Sequence, residues 1–99
     1  MKVEKLKLYN KYKNIDCPDI GEFIYIGIDK RDGDYIFLYE AEDYCDIKDF
    51  SNTWGLNYNE IINNIPKNKK YNRNYHSKEY VKTYIKPLLK DKLKNIINR

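Results

Sequence analysis

The sequence predicts an α+β fold: a small antiparallel sheet built on a central β-hairpin and packed by C-terminal helices. A small, partly open barrel is a curled variant of the same sheet. Three observations lead there. Residues 22–40 hold two strand-forming runs, Phe23-Ile24-Tyr25-Ile26-Gly27-Ile28 and Tyr35-Ile36-Phe37-Leu38-Tyr39, around a turn-rich centre. Residues 78–98 carry Val81, Ile85, Leu89, Leu93 and Ile97 in one i, i+4 row, flanked by Tyr80, Tyr84, Leu88 and Ile96. No internal repeat or boundary divides the 99 residues, so a single domain, 1–99, is expected. Its sheet-rich acidic part covers about residues 1–50 and its helical basic part about residues 51–99.

Taken in order, the chain opens with Leu6-Lys7-Leu8, whose alternation predicts a first strand near residues 5–9. Residues 14–21, with Pro18 and Gly21, read as a loop. In the hairpin, a type I turn at Arg31-Asp32 closed by Gly33 puts Ile28 opposite Ile36, Ile26 opposite Leu38 and Ile24 opposite Glu40. That register sorts Ile24, Ile26, Ile28, Ile36 and Leu38 onto one face and Phe23, Tyr25, Tyr35, Phe37 and Tyr39 onto the other. A two-residue Asp32-Gly33 turn shifts it by one and mixes the sets. The aromatic face is expected to form a minor core in preference to a base-stacking platform.

Residues 40–49 are acidic, and Ala41, Tyr44, Ile47 and Phe50 recur every third residue, which allows a helical turn or a short extended return. Residues 51–55 read as a turn around Trp54. Asn57 or Asn59 caps a short helix through Ile65, and Pro66 ends it. Residues 67–76 read as a polar, basic loop. Ser77 caps the last helix, in which Pro87 is expected to produce a kink or a break into two helices. The apolar stripe of that helix is placed on the aliphatic hairpin face.

Charge is divided along the chain. Residues 1–65 carry 8 basic and 13 acidic side chains, and residues 66–99 carry 11 basic and 2 acidic. Such asymmetry points to an anionic partner for the C-terminal part. Lys78, Lys82, Lys86, Lys90 and Lys94 form a second i, i+4 row. Like charges at that spacing cost a helix roughly 0.2–0.5 kcal/mol each, and a phosphate backbone relieves them. The loop before it interleaves Lys67, Lys69, Lys70 and Arg73 with Tyr71 and Tyr75, a composition suited to phosphate contact and base stacking. A solvated lysine face, or neutralisation by the acidic segment within the fold, also accounts for these charges. Lys, Asn, Ile and Tyr make up 52 of the 99 residues, a bias that low-GC coding produces by itself.

No catalytic motif is found, and no catalytic residue is assigned. His76 stands alone in basic sequence. Cys17 and Cys45, far apart and with one His, cannot complete a zinc site, and reduced thiols are expected. Asp29, Asp32 and Asp34 lack the glutamate spacing of a calcium loop and suit a turn. No metal and no cofactor is expected. No apolar run approaches the roughly 18 residues of a membrane span, and no signal peptide opens the chain, so a cytoplasmic location is expected. The basic amphipathic helix at a membrane surface is disfavoured by Pro87 and by the lack of Trp or Phe there.

The expectation is a small non-enzymatic binding protein that contacts RNA or DNA phosphate through the C-terminal loop and helix. The alternative partner is a protein or a nucleic-acid-handling complex. A small, motif-free, low-GC chain also suits a phage-encoded inhibitor or adaptor of a host defence complex, of the anti-CRISPR kind. In that case Tyr44, Asp46, Asp49 and Trp54 form the interface, with Trp54 as anchor.

Overall fold

A computed structural model describes residues 2–88. Lys90, Lys94 and the apolar positions Leu89, Leu93, Ile96 and Ile97 lie outside the described residues. The described chain forms strands β1 (Lys11–Asn14), β2 (Glu22–Ile28), β3 (Tyr35–Glu40), β4 (Tyr71–His76) and β5 (Ile85–Pro87). Helices are α1 (Ile47–Trp54), α2 (Tyr58–Asn64) and α3 (Lys78–Tyr84), with 3-10 turns at Val3–Lys5 and Pro18–Ile20. The fold is α+β. The sheet is antiparallel throughout, in the order β4-β3-β2-β1-β5, and it is open, not closed into a barrel.

The hairpin turn is one residue longer than expected. Asp29 N–H donates to the Asp34 carbonyl at 2.8 Å and Gly33 N–H to the Asp29 carbonyl at 2.8 Å, so Lys30 to Gly33 form the loop. Gly33 has φ 83°, the left-handed conformation expected of it. The fully buried Asp29 carboxylate organises the loop. It accepts from Arg31 N–H at 2.9 Å and takes the Arg31 guanidinium at 2.6 Å (Nη2 to Oδ2). Hydrogen bonds from Arg31 hold its carboxyl below the usual carboxylate range, against the opposing effect of burial.

The register therefore differs from the expected one. Ile28 stands opposite Tyr35 and Gly27 opposite Ile36; a bulge then shifts the pairing so that Ile24 faces Leu38. Two one-residue shifts restore the parity of the outer half, because side chains alternate with period two. Ile24, Ile26, Ile36 and Leu38 share the aliphatic core as expected. Ile28 lies on the turn side of the bulge, loses its place on that face and is 41% exposed. The bulge rests on Gly27, at φ 136°, where a Cβ would stand 3.1 Å from Leu56 Cδ2.

Helices cover both faces of the sheet, not one. The aliphatic face packs against Trp54, Ile61 and Ile65, with Ile47, Phe50 and Leu56 around them, so α1 and α2 cover it. The aromatic face packs Tyr12, Phe23, Tyr25 and Phe37 against Val81 and Ile85, with Val3, Leu6 and Tyr80 beside them. The described part of the C-terminal apolar stripe, Val81 and Ile85, thus covers the aromatic face, not the aliphatic one. Both hairpin faces are apolar, and each needs its own cover.

Four local expectations are corrected. The first strand is Lys11–Asn14, because residues 3–5 form a 3-10 turn and Tyr9 takes φ 66°, which ends extended pairing. Trp54 ends a helix and not a turn: Asp46 caps α1 by accepting from Lys48 N–H and Asp49 N–H, and Gly55 follows at φ 75°. Residues 71–76 are a strand on the sheet edge, and only 67–70 remain as loop. Polar side chains do not prevent this, since the backbone pairs with β3 and one face meets solvent. Finally, α3 stops at Tyr84 and the chain re-enters the sheet as β5, so Pro87 lies in a strand and not in a helix. Ile15 N–H bonds to the Tyr84 carbonyl, which fixes the alternation and turns the missing donor of Pro87 away from β1. By contrast α2 begins and ends as expected, with the Asn57 side chain accepting from Glu60 N–H at 3.1 Å.

Candidate nucleic-acid interface

The expected binding residues separate into exposed cations and buried aromatics. Lys67, Lys69 and Lys70 are exposed on the loop between α2 and β4. Lys69 Nζ lies 3.8 Å from Glu40 Oε1, and Lys70 Nζ lies 5.1 Å from the centre of the Tyr44 ring. Lys78 and Lys82 are exposed on α3, which begins at a Ser77 cap accepting from Tyr80 N–H at 3.2 Å.

Tyr71 and Tyr75 are not presented for stacking. Tyr71 is 5% exposed within the aliphatic core. Tyr75 packs against the same core, and its hydroxyl accepts from Trp54 Nε1 at 2.9 Å. Arg73 lies 4.0 Å over the Phe50 ring and donates from Nη1 to Asn72 Oδ1 at 2.9 Å. All three are odd positions of β4, and alternation turns that set toward α1. A loop would have left them free; a strand does not.

The lysine row is split by the same change of period. Ile85 belongs to the aromatic core, so its neighbour Lys86 points to the opposite face of the sheet from α3 and from Lys78 and Lys82.

The expected protein interface is likewise dispersed. Trp54 is fully buried and cannot anchor a partner. Asp46 is engaged as the α1 cap, Asp49 is exposed in the first turn of α1, and Tyr44 is 59% exposed. Among the described residues the ion pair of the acidic segment is Glu40 with Lys69, on the loop before β4.

Sequence reasoning missed Lys11 and Lys13. In β1 they alternate with the buried Tyr12 and Asn14, so they share the face on which Lys86 lies. The signal was the pattern Lys-Tyr-Lys-Asn, which reads as a strand once residues 5–9 are not one. Lys11 Nζ pairs with Glu22 Oε2 at 3.3 Å. It also lines a cleft of about 690 Å³ whose other walls include Lys69, Lys70, Glu40 and Glu42 over Ile24 and Tyr71.

His76 has a structural position. Its ring stacks on Tyr80 at 4.3 Å and 12°, and Nε2 is buried without a hydrogen-bond partner. Tyr80 is itself fixed, donating to Asp16 Oδ2 at 2.9 Å and accepting from Asn14 Nδ2 at 3.0 Å. Burial pushes the imidazole below its ordinary 6.5, opposed by Asp34. The unfolded chain then binds more protons than the folded one as pH falls below about 6.5. Stability is expected to fall from pH 7 toward pH 5, and His76→Gln should flatten that part of a melting-temperature profile. An unchanged slope in the variant would assign the loss to other groups.

Among the described residues no group of three or more His, Cys, Asp or Glu is placed to hold a metal ion. Cys17 and Cys45 form no disulfide. No helix among them is long and apolar enough to cross a membrane. Comparison with protein families, curated proteins and solved structures finds no match for this chain.

Proposed function

We propose that this chain is a non-enzymatic protein that binds nucleic-acid phosphate through Lys67, Lys69, Lys70, Lys78 and Lys82. The observation that carries the reading is the fate of the acidic segment. Asp46 caps a helix, and the ion pair that the segment makes among the described residues is Glu40 with Lys69, while Lys67, Lys70 and Lys78 are exposed. The fold therefore brings Lys67, Lys70 and Lys78 to the surface without an ion pair among the described residues. An external polyanion supplies the missing counter-charge and releases counterions in doing so.

Salt titration tests this directly. Binding to nucleic acid should weaken steeply as salt rises. Changing the five lysines to Gln keeps helix propensity nearly constant and makes the log–log slope shallower by about 0.7–0.9 per lysine that touches a phosphate. A folded variant that binds with the parent's affinity and slope overturns the reading. A protein partner is the second reading, favoured by Tyr44, an exposed aromatic between exposed Asp43 and half-buried Cys45. A partner recovered from the source cell after nuclease treatment and lost with Tyr44→Ala would support it.

A further inference from the structure

The fold sets like charges against each other at one place where the sequence gives no sign of it. Lys13 stands directly opposite Lys86 across β1 and β5. Lys11 is two residues away on the same strand and the same face. Like charges directly opposite in an antiparallel pair are destabilising. Among the described residues the carboxylate beside them is Glu22, opposite Lys13 on β2, and it is paired with Lys11. The strip carries two more lysines than carboxylates.

This strip lies outside the helical cover. The aliphatic core takes side chains from β2, β3 and β4, and none from β1 or β5. Lys11 is exposed and Lys13 and Lys86 are half-buried, so long stems rest on the sheet while the charged ends reach water. Lys11 also joins the strip to its surroundings. Through the cleft of about 690 Å³ it meets Lys69 and Lys70, and through a second of about 850 Å³ it meets Lys5 and Lys7. Glu22, Glu40 and Glu42 match the three lysines of the first cleft, whereas the second sets Lys5, Lys7 and Lys11 against Glu4 and the same Glu22, so the excess of positive charge lies toward β1 and β5.

No exposed ring accompanies Lys11, Lys13 and Lys86; Tyr44, 59% exposed, stands at the far end of the band, its ring centre 5.1 Å from Lys70 Nζ. Tyr71 and Tyr12 are 5% and 3% exposed, and the Tyr12 hydroxyl accepts from Lys7 N–H at 2.9 Å. Tyr9 packs against the aliphatic core. Single-strand binders combine a basic groove with exposed rings for bases to stack on. The strip of Lys11, Lys13 and Lys86 lacks them, so contact there is with the backbone. A duplex presents one phosphate per roughly 1.7 Å of axis, the denser array for such a surface.

We propose that Lys11, Lys13 and Lys86 form a phosphodiester-binding strip, continuous with Lys69 and Lys70, that takes double-stranded nucleic acid by its backbone. This deepens the nucleic-acid reading above and rests on it. The strip is read by charge and carries no base specificity.

Fluorescence anisotropy with a short DNA duplex, and with one of its strands alone, tests the strip at several salt concentrations. The parent should bind the duplex more tightly than the single strand. Lys13→Gln with Lys86→Gln should make the duplex slope shallower by about 1.8, two phosphate contacts at about 0.9 each. Lys13→Arg with Lys86→Arg should keep the slope, and Lys48→Gln, on the exposed side of α1, should leave it unchanged. The Gln pair relieves repulsion, so a melting temperature at or above the parent's confirms that it folds. If it binds the duplex with the parent's slope while the five-lysine variant is weakened, the strip is wrong and the general reading stands. A parent that prefers the single strand removes the duplex assignment. A parent that binds neither strand form at low salt removes both readings.

Discussion

Trp54→Ala should cost about 3–5 kcal/mol of folding stability, the range for deleting a buried aromatic ring from a core. Domains of this size are stable by only about 5–15 kcal/mol, so the variant should lose a large share of its stability. The ring is fully buried, stacked on Phe50 at 5.8 Å and set edge-on to Tyr75 at 6.1 Å. Its indole N–H donates to the Tyr75 hydroxyl at 2.9 Å, and its carbonyl accepts Lys30 N–H at 3.0 Å, tying the end of α1 to the hairpin turn. Trp54→Phe retains most of the packing and loses the indole donor, about 1 kcal/mol for a hydrogen bond of this kind. Urea unfolding of the three proteins gives the ranking directly. A Trp54→Ala midpoint within about 1 kcal/mol of the parent would return Trp54 to the surface and revive it as a partner anchor.

Phe37→Ala should be as damaging, again about 3–5 kcal/mol, on the opposite face of the sheet. Phe37 is fully buried, with ring centroids of Tyr25 at 5.4 Å, His76 at 5.8 Å, and Tyr12 and Phe23 both at 6.4 Å. It sits at the centre of the aromatic core, where burial, followed by the Tyr35 and Tyr12 neighbours, pushes the Tyr25 phenol up to about 12. Truncation removes ring contacts from four neighbours at once, and edge-to-face pairs add to area burial. Tyr35→Ala, on the half-buried rim, should cost distinctly less. If Phe37→Ala leaves the unfolding midpoint in place, the aromatic face is a surface and its use as a stacking platform returns.

The central hairpin was legible because its two runs alternate without interruption, and both of its faces carry the residues expected except Ile28. The exception is instructive. A four-residue loop held by the Asp29 carboxylate and a bulge at Gly27 each move the register by one residue. Neither shows in the hydrophobic pattern, and the turn residues by themselves allow more than one loop length. The α2 helix was legible through its Asn57 cap and Pro66 stop. The α1 helix was missed because the period was counted from Ala41, one turn before the Asp46 cap.

The candidate site was legible only in its charge. The sequence by itself determined that residues 66–99 are strongly basic, that the hairpin has an aliphatic and an aromatic side, and that Ser77 and one of Asn57 and Asn59 start helices. These are local properties of composition, period and capping. Tertiary structure alone decided where the lysines stand. Ile85 and Val81 pack on the aromatic core, so the chain leaves the helical period at Tyr84 and pairs with β1. That single change sends Lys86 through to the other face, sets it against Lys13, and separates it from Lys78 and Lys82. Backbone pairing of β4 with β3 likewise drew Tyr71 and Tyr75 inward. Strand pairing is a contact between residues far apart in the chain, and it is settled by which surfaces must be buried together.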